Sequence, residues 1–504
     1  MPDHNTTSFN RIAVIDIGSN SLRLVVFERL GATLMPLLNE KVMCGLGRGI
    51  VRTGRLNREG VELAYANLQR FVALARALGA DHLTGIATAA VREASDGRKF
   101  AAEIEKLCGL PVRIVDGVEE ARLSAAGVLA GIPAADGVVG DLGGGSVELV
   151  CIGGGAEPRI GDGISLPLGP LRLAEFGDNQ KAVLDAIKHS VASADLLRAA
   201  QGKALYLVGG AWRAIARLHM EQARYPLHII HQYTVPRRSA EAFLEVLAGM
   251  SRRSLERITT VNRKRLELVP LAAQILRELI TVGGPERIVF SALGLREGYA
   301  NGLLPAQPEV DPLIAACVGA ALSQSPGRSD GDLLEQWTAP AFGPLNAAAH
   351  RVHRAACWLS DIAWTEHPDY RAEQAFTRSL RMPIGPISHQ ERVFIASVLH
   401  ARYGGAPDDP IKAPTRVLLD DADAAEARSL GLALRLAYTL CGGAFELLDQ
   451  VRLARRDGVL EMELPATGSV FQGEAVERRL GALGRALGLT VQTTRRRQRR
   501  PALA

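Results

Sequence analysis

Short apolar runs alternate with helical periodicity through the first third of the chain. Ile12–Ile15 and Leu22–Phe27 read as strands joined by a polar, glycine-containing turn, and Leu83–Ala87 and Val112–Val115 as two more. Between them, segments 58–78, 96–108 and 119–130 carry apolar positions at helical spacing. This alternation predicts an α/β domain built on a central sheet. Beyond Leu304 the pattern changes. Pro305 to Pro312 reads as a linker, segment 313–403 as Ala-rich helices, and Thr415–Leu419, Phe445–Leu453 and Val459–Leu464 as strands around a helix over 422–440.

The strongest organisational signal is an internal echo. The segment IDIGSNSLRLV (15–25) aligns with GDLGGGSVELV (140–150) at a constant offset of 125 residues. Apolar strand, Asp-x-Gly turn, Ser and apolar strand occur twice, which predicts a duplication: two similar α/β lobes facing one cleft. The expected domains are 1–130, 131–305, 306–410 and 411–504.

Composition narrows the picture. Of 504 residues, 47% are hydrophobic and 22% charged, the balance of a globular protein with several cores. The net charge of +5 makes no polycation, so attraction for an anion must come from local clusters. Six scattered cysteines (Cys44, Cys108, Cys151, Cys317, Cys357, Cys441) fit no zinc or redox spacing and suit free thiols. Without a basic-then-apolar leader or an apolar run of about 18 residues, a cytoplasmic protein with no membrane partner is expected.

The two turns carry the first chemistry. An Asp at a strand end followed by Gly or Ser leaves backbone N–H groups free to cradle phosphate, and glycine lets the anion approach without a Cβ clash. Gly143, Gly144, Gly145 and Ser146 fit this, as do Gly18, Ser19, Asn20 and Ser21; a pair of ordinary hairpin turns is the alternative. Asp141 and Glu148 flank the second turn where both can approach one Mg²⁺, and Asp16 either does the same in the first lobe or binds its own turn.

Asp116 and Glu119 have capping-box spacing, which leaves Glu120 as the spare carboxylate. Glu120 is either a proton acceptor for an attacking water or a solvated helix-start residue, and Arg122 can pair with either carboxylate. Arg92, where a strand turns into a helix, is an anion contact or an intrahelical ion-pair partner. Gly209 and Gly210 permit a phosphate at a helix start or simply tight strand–helix packing.

With these residues in view, the chain resembles the exopolyphosphatase/guanosine pentaphosphate phosphohydrolase family. The matching stretches are IDIGSNSLRL (15–24), ATAAVREA (87–94), EEARL (119–123), GDLGGGSVEL (140–149), LPLGPLRL (166–173), VGGAWRAIA (208–216) and ALGLREGYA (292–300). The resemblance implies two actin-like lobes of the ribonuclease H-like, chaperone and sugar-kinase ATPase type, followed by a helical HD-like domain with a small α+β appendage. It implies Glu120 as catalytic base and Mg²⁺ at Asp141 and Glu148, with K⁺ a candidate second cation. Asp16, Asn20, Ser21, Arg92, Gly143, Gly144, Gly145 and Ser146 become phosphate contacts, and Gly209 and Gly210 line the cleft. The expected activity is release of orthophosphate from inorganic polyphosphate. Guanosine pentaphosphate hydrolysis is the alternative of the same class; an ATPase or kinase, or a non-catalytic polyphosphate or nucleotide sensor, are the others.

In the C-terminal third the HD-type residues reduce to His350, His353, His367 and Asp361, with Ser360-Asp361 where a His-Asp pair is expected. A scaffold supporting substrate binding or a homodimer is the expectation there. The clusters Arg252-Arg253, Arg263-Lys264-Arg265 and Arg495 to Arg500 are polyanion guides or solvated faces; no aromatic-rich strand accompanies them, so no specific nucleic acid is expected.

Overall fold

The computed structural model describes residues 9–155, 157–177, 179–250, 266, 268–305, 309–324, 330–466 and 469–496. The chain divides into two compact units, 1–309 and 310–504.

The first unit holds two mixed sheets. One has the order β3-β2-β1-β4-β5, from β1 (Arg11–Ile17), β2 (Ser21–Leu30), β3 (Thr33–Met43), β4 (His82–Ala87) and β5 (Val112–Ile114). The other has the order β10-β11-β9-β6-β7-β8, from β6 (Asp136–Leu142), β7 (Val147–Gly153), β8 (Arg159–Leu166), β9 (Ala204–Gly209), β10 (Tyr233–Pro236) and β11 (Arg287–Phe290). In both, an antiparallel hairpin is flanked by a third antiparallel strand on one side and a parallel strand on the other. The register repeats as well. Asp16 lies opposite Arg23 in β1–β2, and Asp141 opposite Glu148 in β6–β7. The 125-residue echo is therefore a repeat of backbone topology, extended by β3 and β8, which the apolar pattern did not disclose. Alternation there is blurred, because β3 is largely solvent-facing.

Helices cover the sheets. The helix α1 (Arg58–Ala77) starts where Asn57 accepts the Gly60 N–H at 2.8 Å, and buries Ala64, Leu68, Phe71, Val72 and Ala75 at helical spacing. Two others cross between lobes. Helix α4 (Gly117–Gly131) follows β5 but packs Ala121, Ala125 and Val128 on Val139, Val150 and Tyr206 of the second sheet. Helix α6 (Leu295–Gly302) follows β11 but packs Leu295 and Ala300 on Ile12, Val14 and Ile86 of the first. The two lobes are thus mutually braced. Between these helices in chain order lie α2 (Ala89–Glu93), α3 (Gly97–Cys108) and α5 (Gly210–Gln222).

The second unit is mostly helical, with a sheet of order β12-β13-β14 from Arg452–Arg456, Val459–Leu464 and Thr490–Arg495. Two expected strands are corrected. Thr415–Leu419 is a tight turn closed by Leu418 N to Thr415 O (3.0 Å) and by Arg416 Nη1 on Leu419 O (2.6 Å), with Val417 facing solvent. Phe445–Gln450 is a 3₁₀ segment, and the strand begins only at Arg452. The start of the basic tail is also ordered: Arg495 ends β14, and Arg496 pairs with Glu463 at 3.3 Å. Segments 252–253, 263–265 and 497–500 lie outside the described residues.

The HD-type residues are engaged apart from one another. His353 meets Glu426 at 2.6 Å, His350 meets Glu335 at 3.0 Å, and His367 faces Asp369. Buried Asp361 accepts from Arg402 (2.9 Å) and Tyr403 (3.1 Å), with the Arg402 guanidinium sandwiched between the Tyr403 and Tyr438 rings. All six cysteines are free thiols. Among the described residues, no helix is long and apolar enough to cross a membrane.

Candidate active site

The two Asp-x-Gly hairpins end in matching turns. Gly18 N donates to Ser21 O (3.1 Å), and Gly143 N donates to Ser146 O (3.0 Å). The next two carbonyls of each turn are tied away by a following segment. Ser19 O accepts from Gly47 N (2.8 Å) and Asn20 O from Gly45 N (3.0 Å); Gly144 O accepts from Leu171 N (2.9 Å) and Gly145 O from Arg172 Nε (3.0 Å). With their carbonyls held, the amides of Ser19, Asn20 and Gly144 take no protein acceptor among the described residues and lie on the wall of one cleft. Such a pair of turns is an anion nest contributed by both lobes.

Their approach is close. A Cβ on Gly144 would meet Ser19 Cβ at 3.1 Å, and one on Gly169 would sit 2.1 Å from Gly144 O. That is why the LPLG segment ends in glycine. A Cβ on Gly145 would lie 3.3 Å from Ser19 Oγ and 3.5 Å from Ala89 Cβ, so this glycine also packs closely on the first lobe. Gly209 takes φ +115° at the end of β9, where a Cβ would lie 2.4 Å from Leu142 O; Gly210 opens helix α5 on the cleft wall.

Three carboxylates gather beside the nest. Glu120 and Asp141 line the cleft of about 320 Å³, and Glu148, 1% exposed, sits behind them. Helix α4 can bring Glu120 in because its contacts are small: a Cβ on Gly117 would clash with Ser165 at 2.3 Å, and one on Gly163 with Ala121 at 2.7 Å. Asp116 caps the helix by accepting Glu119 N at 2.8 Å, but the Glu119 carboxylate pairs with Arg113 and makes no return bond. Arg122 points to solvent. Glu120 instead is gripped by Arg92, whose Nη1 donates to Glu120 Oε2 and to Val115 O, both at 2.9 Å. Arg92, expected to touch phosphate, is here bonded to Glu120.

Electrostatics set this group apart. Burial raises the Glu120 carboxyl well above the usual range, the neighbouring Glu148 adds to it, and Arg92 offsets part. Burial and Asp141 push Glu148 up to about 7, against the pull of the Ser146 and Ser165 hydroxyls and Arg92. Ser165 Oγ donates to Glu148 Oε1 at 2.9 Å, while buried Glu148 Oε2 and Ser146 Oγ lack a hydrogen bond of good geometry. Asp141 is raised by burial despite the Ser124 hydroxyl bonded to it. Mutual repulsion and an orphaned buried oxygen are the marks of a missing positive charge.

Among the described residues no three His, Cys, Asp or Glu side chains form a ready metal cluster. Mg²⁺ does not need one, since it keeps several waters and binds through one or two carboxylates plus substrate phosphate. Asp141 and Glu148, opposite each other on the β6–β7 ladder, fit that donor set.

Asp16 behaves differently from Asp141. Arg296 Nη1 donates to Asp16 Oδ2 at 2.6 Å, and Arg296 is 6% exposed. Asp16 lines the cleft and also neutralises a buried guanidinium. Sequence reading missed Arg296, 280 residues away from Asp16, along with Arg23, Lys41, Arg213 and Arg217, which all line the cleft. Burial and the nearby Arg296 and Arg213 pull Arg23 down to about 9. A guanidinium crowded by two others is relieved by an anion between them.

Residues 24–307 match the model of the Ppx/GppA phosphatase family, and residues 318–493 match the exopolyphosphatase C-terminal domain. An exopolyphosphatase from Cytophaga hutchinsonii superposes with a TM-score of 0.53 at 24% identity, covering 58% of this chain and 97% of its own. A PPX-GPPA enzyme from Aquifex aeolicus superposes at 0.50 with 24% identity, covering 58% of this chain and all of its own. These likenesses fix the two-lobed fold.

Proposed function

This chain belongs to the Ppx/GppA phosphatase family, hydrolases of phosphoanhydride bonds, and we propose from that premise that it is an exopolyphosphatase. It releases orthophosphate from the end of inorganic polyphosphate. The observation that carries the choice of substrate is the cleft wall. Among the described residues it holds Arg23, Lys41, Arg213, Arg217 and Arg296 and no Phe, Tyr, Trp or His. Cations without an aromatic platform suit a bare chain of phosphates better than a purine, which is usually stacked.

In the reaction, the amides of Ser19, Asn20 and Gly144 hold the terminal phosphoryl oxygens. Glu120, steered by Arg92, accepts a proton from a water aligned with the terminal phosphorus. The new P–O bond forms as the bridging P–O bond breaks, leaving orthophosphate and a chain shorter by one unit. A carboxyl raised by burial suits this role, because a base works best with a pKa near the working pH. Asp141 and Glu148 would hold Mg²⁺, which would neutralise phosphate charge. Arg23, Lys41, Arg213 and Arg217 grip the rest of the chain. Most of the catalysis is positioning and charge stabilisation.

The test is phosphate release from polyphosphate beside guanosine pentaphosphate at equal phosphate concentration with Mg²⁺. A clear preference for polyphosphate is expected. Preference for the nucleotide would assign the guanosine activity instead, and release from neither would leave a sensor.

A further inference from the structure

A second cation-lined cavity lies wholly within the C-terminal unit. It is walled by the end of helix His389–Arg402, the Gly404–Leu419 loop and helix Asp421–Cys441, and has a volume of about 540 Å³. Lys412, Arg416, Arg428 and Arg435 line it, against one carboxylate, Asp421. Arg416 is already committed to Asp421 and to Leu419 O. The side chains of Lys412, Arg428 and Arg435 have no hydrogen-bond acceptor or ion-pair partner among the described residues. Nearby Asp409 is taken by His400 (3.0 Å) and by Ile411 N (3.0 Å).

Side chains of this kind usually swing into solvent or find a carboxylate. Here Lys412 and Arg435 are half-buried. Burial and the neighbouring Arg428 and Arg416 charges lower Lys412, and burial with Arg402 and Arg478 lowers Arg435. The Arg435 guanidinium is packed flat against Gly404, which has φ +88°, and a Cβ there would lie 2.5 Å from Arg435 Nη2. Any larger residue would expel the guanidinium from the cavity. Asp409 and Asp408 offset part of the repulsion at Lys412, and Arg428 reaches solvent, yet none of Lys412, Arg428 and Arg435 forms an ion pair among the described residues.

We infer that this cavity binds a small phosphate anion, orthophosphate or the end of a short oligophosphate, gripped by Lys412, Arg428 and Arg435. Amid a largely apolar lining of Ala, Leu, Val and Pro, Arg428 and Arg435 suit paired N–H···O contacts with a tetrahedral oxyanion. Its ligand is of the same chemical class as the product proposed for the cleft. The inference rests on that reading only for the origin of the phosphate, not for its binding.

Equilibrium dialysis of the full chain with labelled orthophosphate tests it, alongside the K412Q/R428Q variant and, separately, R23Q/R213Q in the cleft. The expected result is a phosphate site weakened at least tenfold by K412Q/R428Q and unaffected by R23Q/R213Q. Tripolyphosphate should compete for it. Removing repelling cations should leave the unfolding midpoint unchanged or raised, and R435Q gives an independent variant should the first fold poorly. Binding unchanged by both K412Q/R428Q and R435Q would overturn the inference. So would a site that takes long polyphosphate but neither orthophosphate nor tripolyphosphate, since a chain-tracking surface would then replace a pocket. Failure of the cleft assignment would show instead as unaltered polyphosphate turnover in R23Q/R213Q.

Discussion

The β1–β2 and β6–β7 hairpins share strand register, turn hydrogen bonds and the tying of two turn carbonyls by a later segment, yet differ in charge at one matched position. Opposite Asp16 stands Arg23; opposite Asp141 stands Glu148. In the first hairpin the acid is neutralised by Arg296 and the spare guanidinium faces the cleft. In the second, two acids share a buried face, are raised in pKa and leave an oxygen without a hydrogen bond of good geometry. Duplication supplies the anion nest twice, and a single ladder position then divides the labour. In the proposed reaction, one lobe offers charge to the substrate and the other to a cation.

The largest effect should come from Glu120, which the second lobe's acids raise and the first lobe's Arg92 steers. Glu120→Gln should cut phosphate release by about 10²–10⁴-fold while polyphosphate binding persists, measured by turnover and by direct binding. Unchanged turnover would remove Glu120 from the chemistry.

Next in size is the contrast between the matched acids. Asp16→Asn removes the nearer of two acids from the buried Arg296, with Glu297 remaining at 3.9 Å, and should cost about 1–3 kcal/mol of stability in denaturant unfolding. Asp141→Asn relieves repulsion and should leave the Mg²⁺-free protein as stable or more so. Equal losses from both would erase the distinction between structural and functional acid.

The same contrast has a pH signature. The folded-state pKa of Glu148, about 7, exceeds its unfolded value of about 4.5. The folded protein therefore binds more protons through that window, and this contribution to stability is present below pH 4.5 and lost as pH rises through 7. In chelator, the unfolding midpoint should fall between pH 5 and 8, and Glu148→Gln should flatten the slope. A smaller effect is expected from Arg23→Gln: about a tenfold rise in KM for polyphosphate with kcat held, since it removes one charge-assisted contact.

Much of this was legible in sequence because it is local. The echo fixes both hairpins and both turns, since strand, Asp-x-Gly and strand are written within eleven residues. Asp141 and Glu148 followed from register within one hairpin. What sequence withheld is long-range. Arg296 meets Asp16 only because helix α6 returns to the first lobe, and Arg213 and Arg217 reach the cleft only because helix α5 begins at Gly210. Glu120 was ambiguous for the same reason: its burial depends on Gly117 and Gly163 letting helix α4 settle on the second sheet. Sequence placed Arg92 near the site but did not show that it grips Glu120, because the two lie on different elements 28 residues apart. The strand expected over 415–419 failed because an apolar run needs a partner strand, and there Arg416 closes a turn instead.

The division between the hairpins is tested most directly by Mg²⁺ titration calorimetry on two variants changed at the matched ladder position, Glu148→Gln and Arg23→Gln. Glu148→Gln should weaken Mg²⁺ binding at least tenfold, whereas Arg23→Gln should leave it unchanged or slightly tighter through loss of a nearby positive charge. Weakening by Arg23→Gln with full affinity in Glu148→Gln would contradict the assignment of the cation to the second lobe.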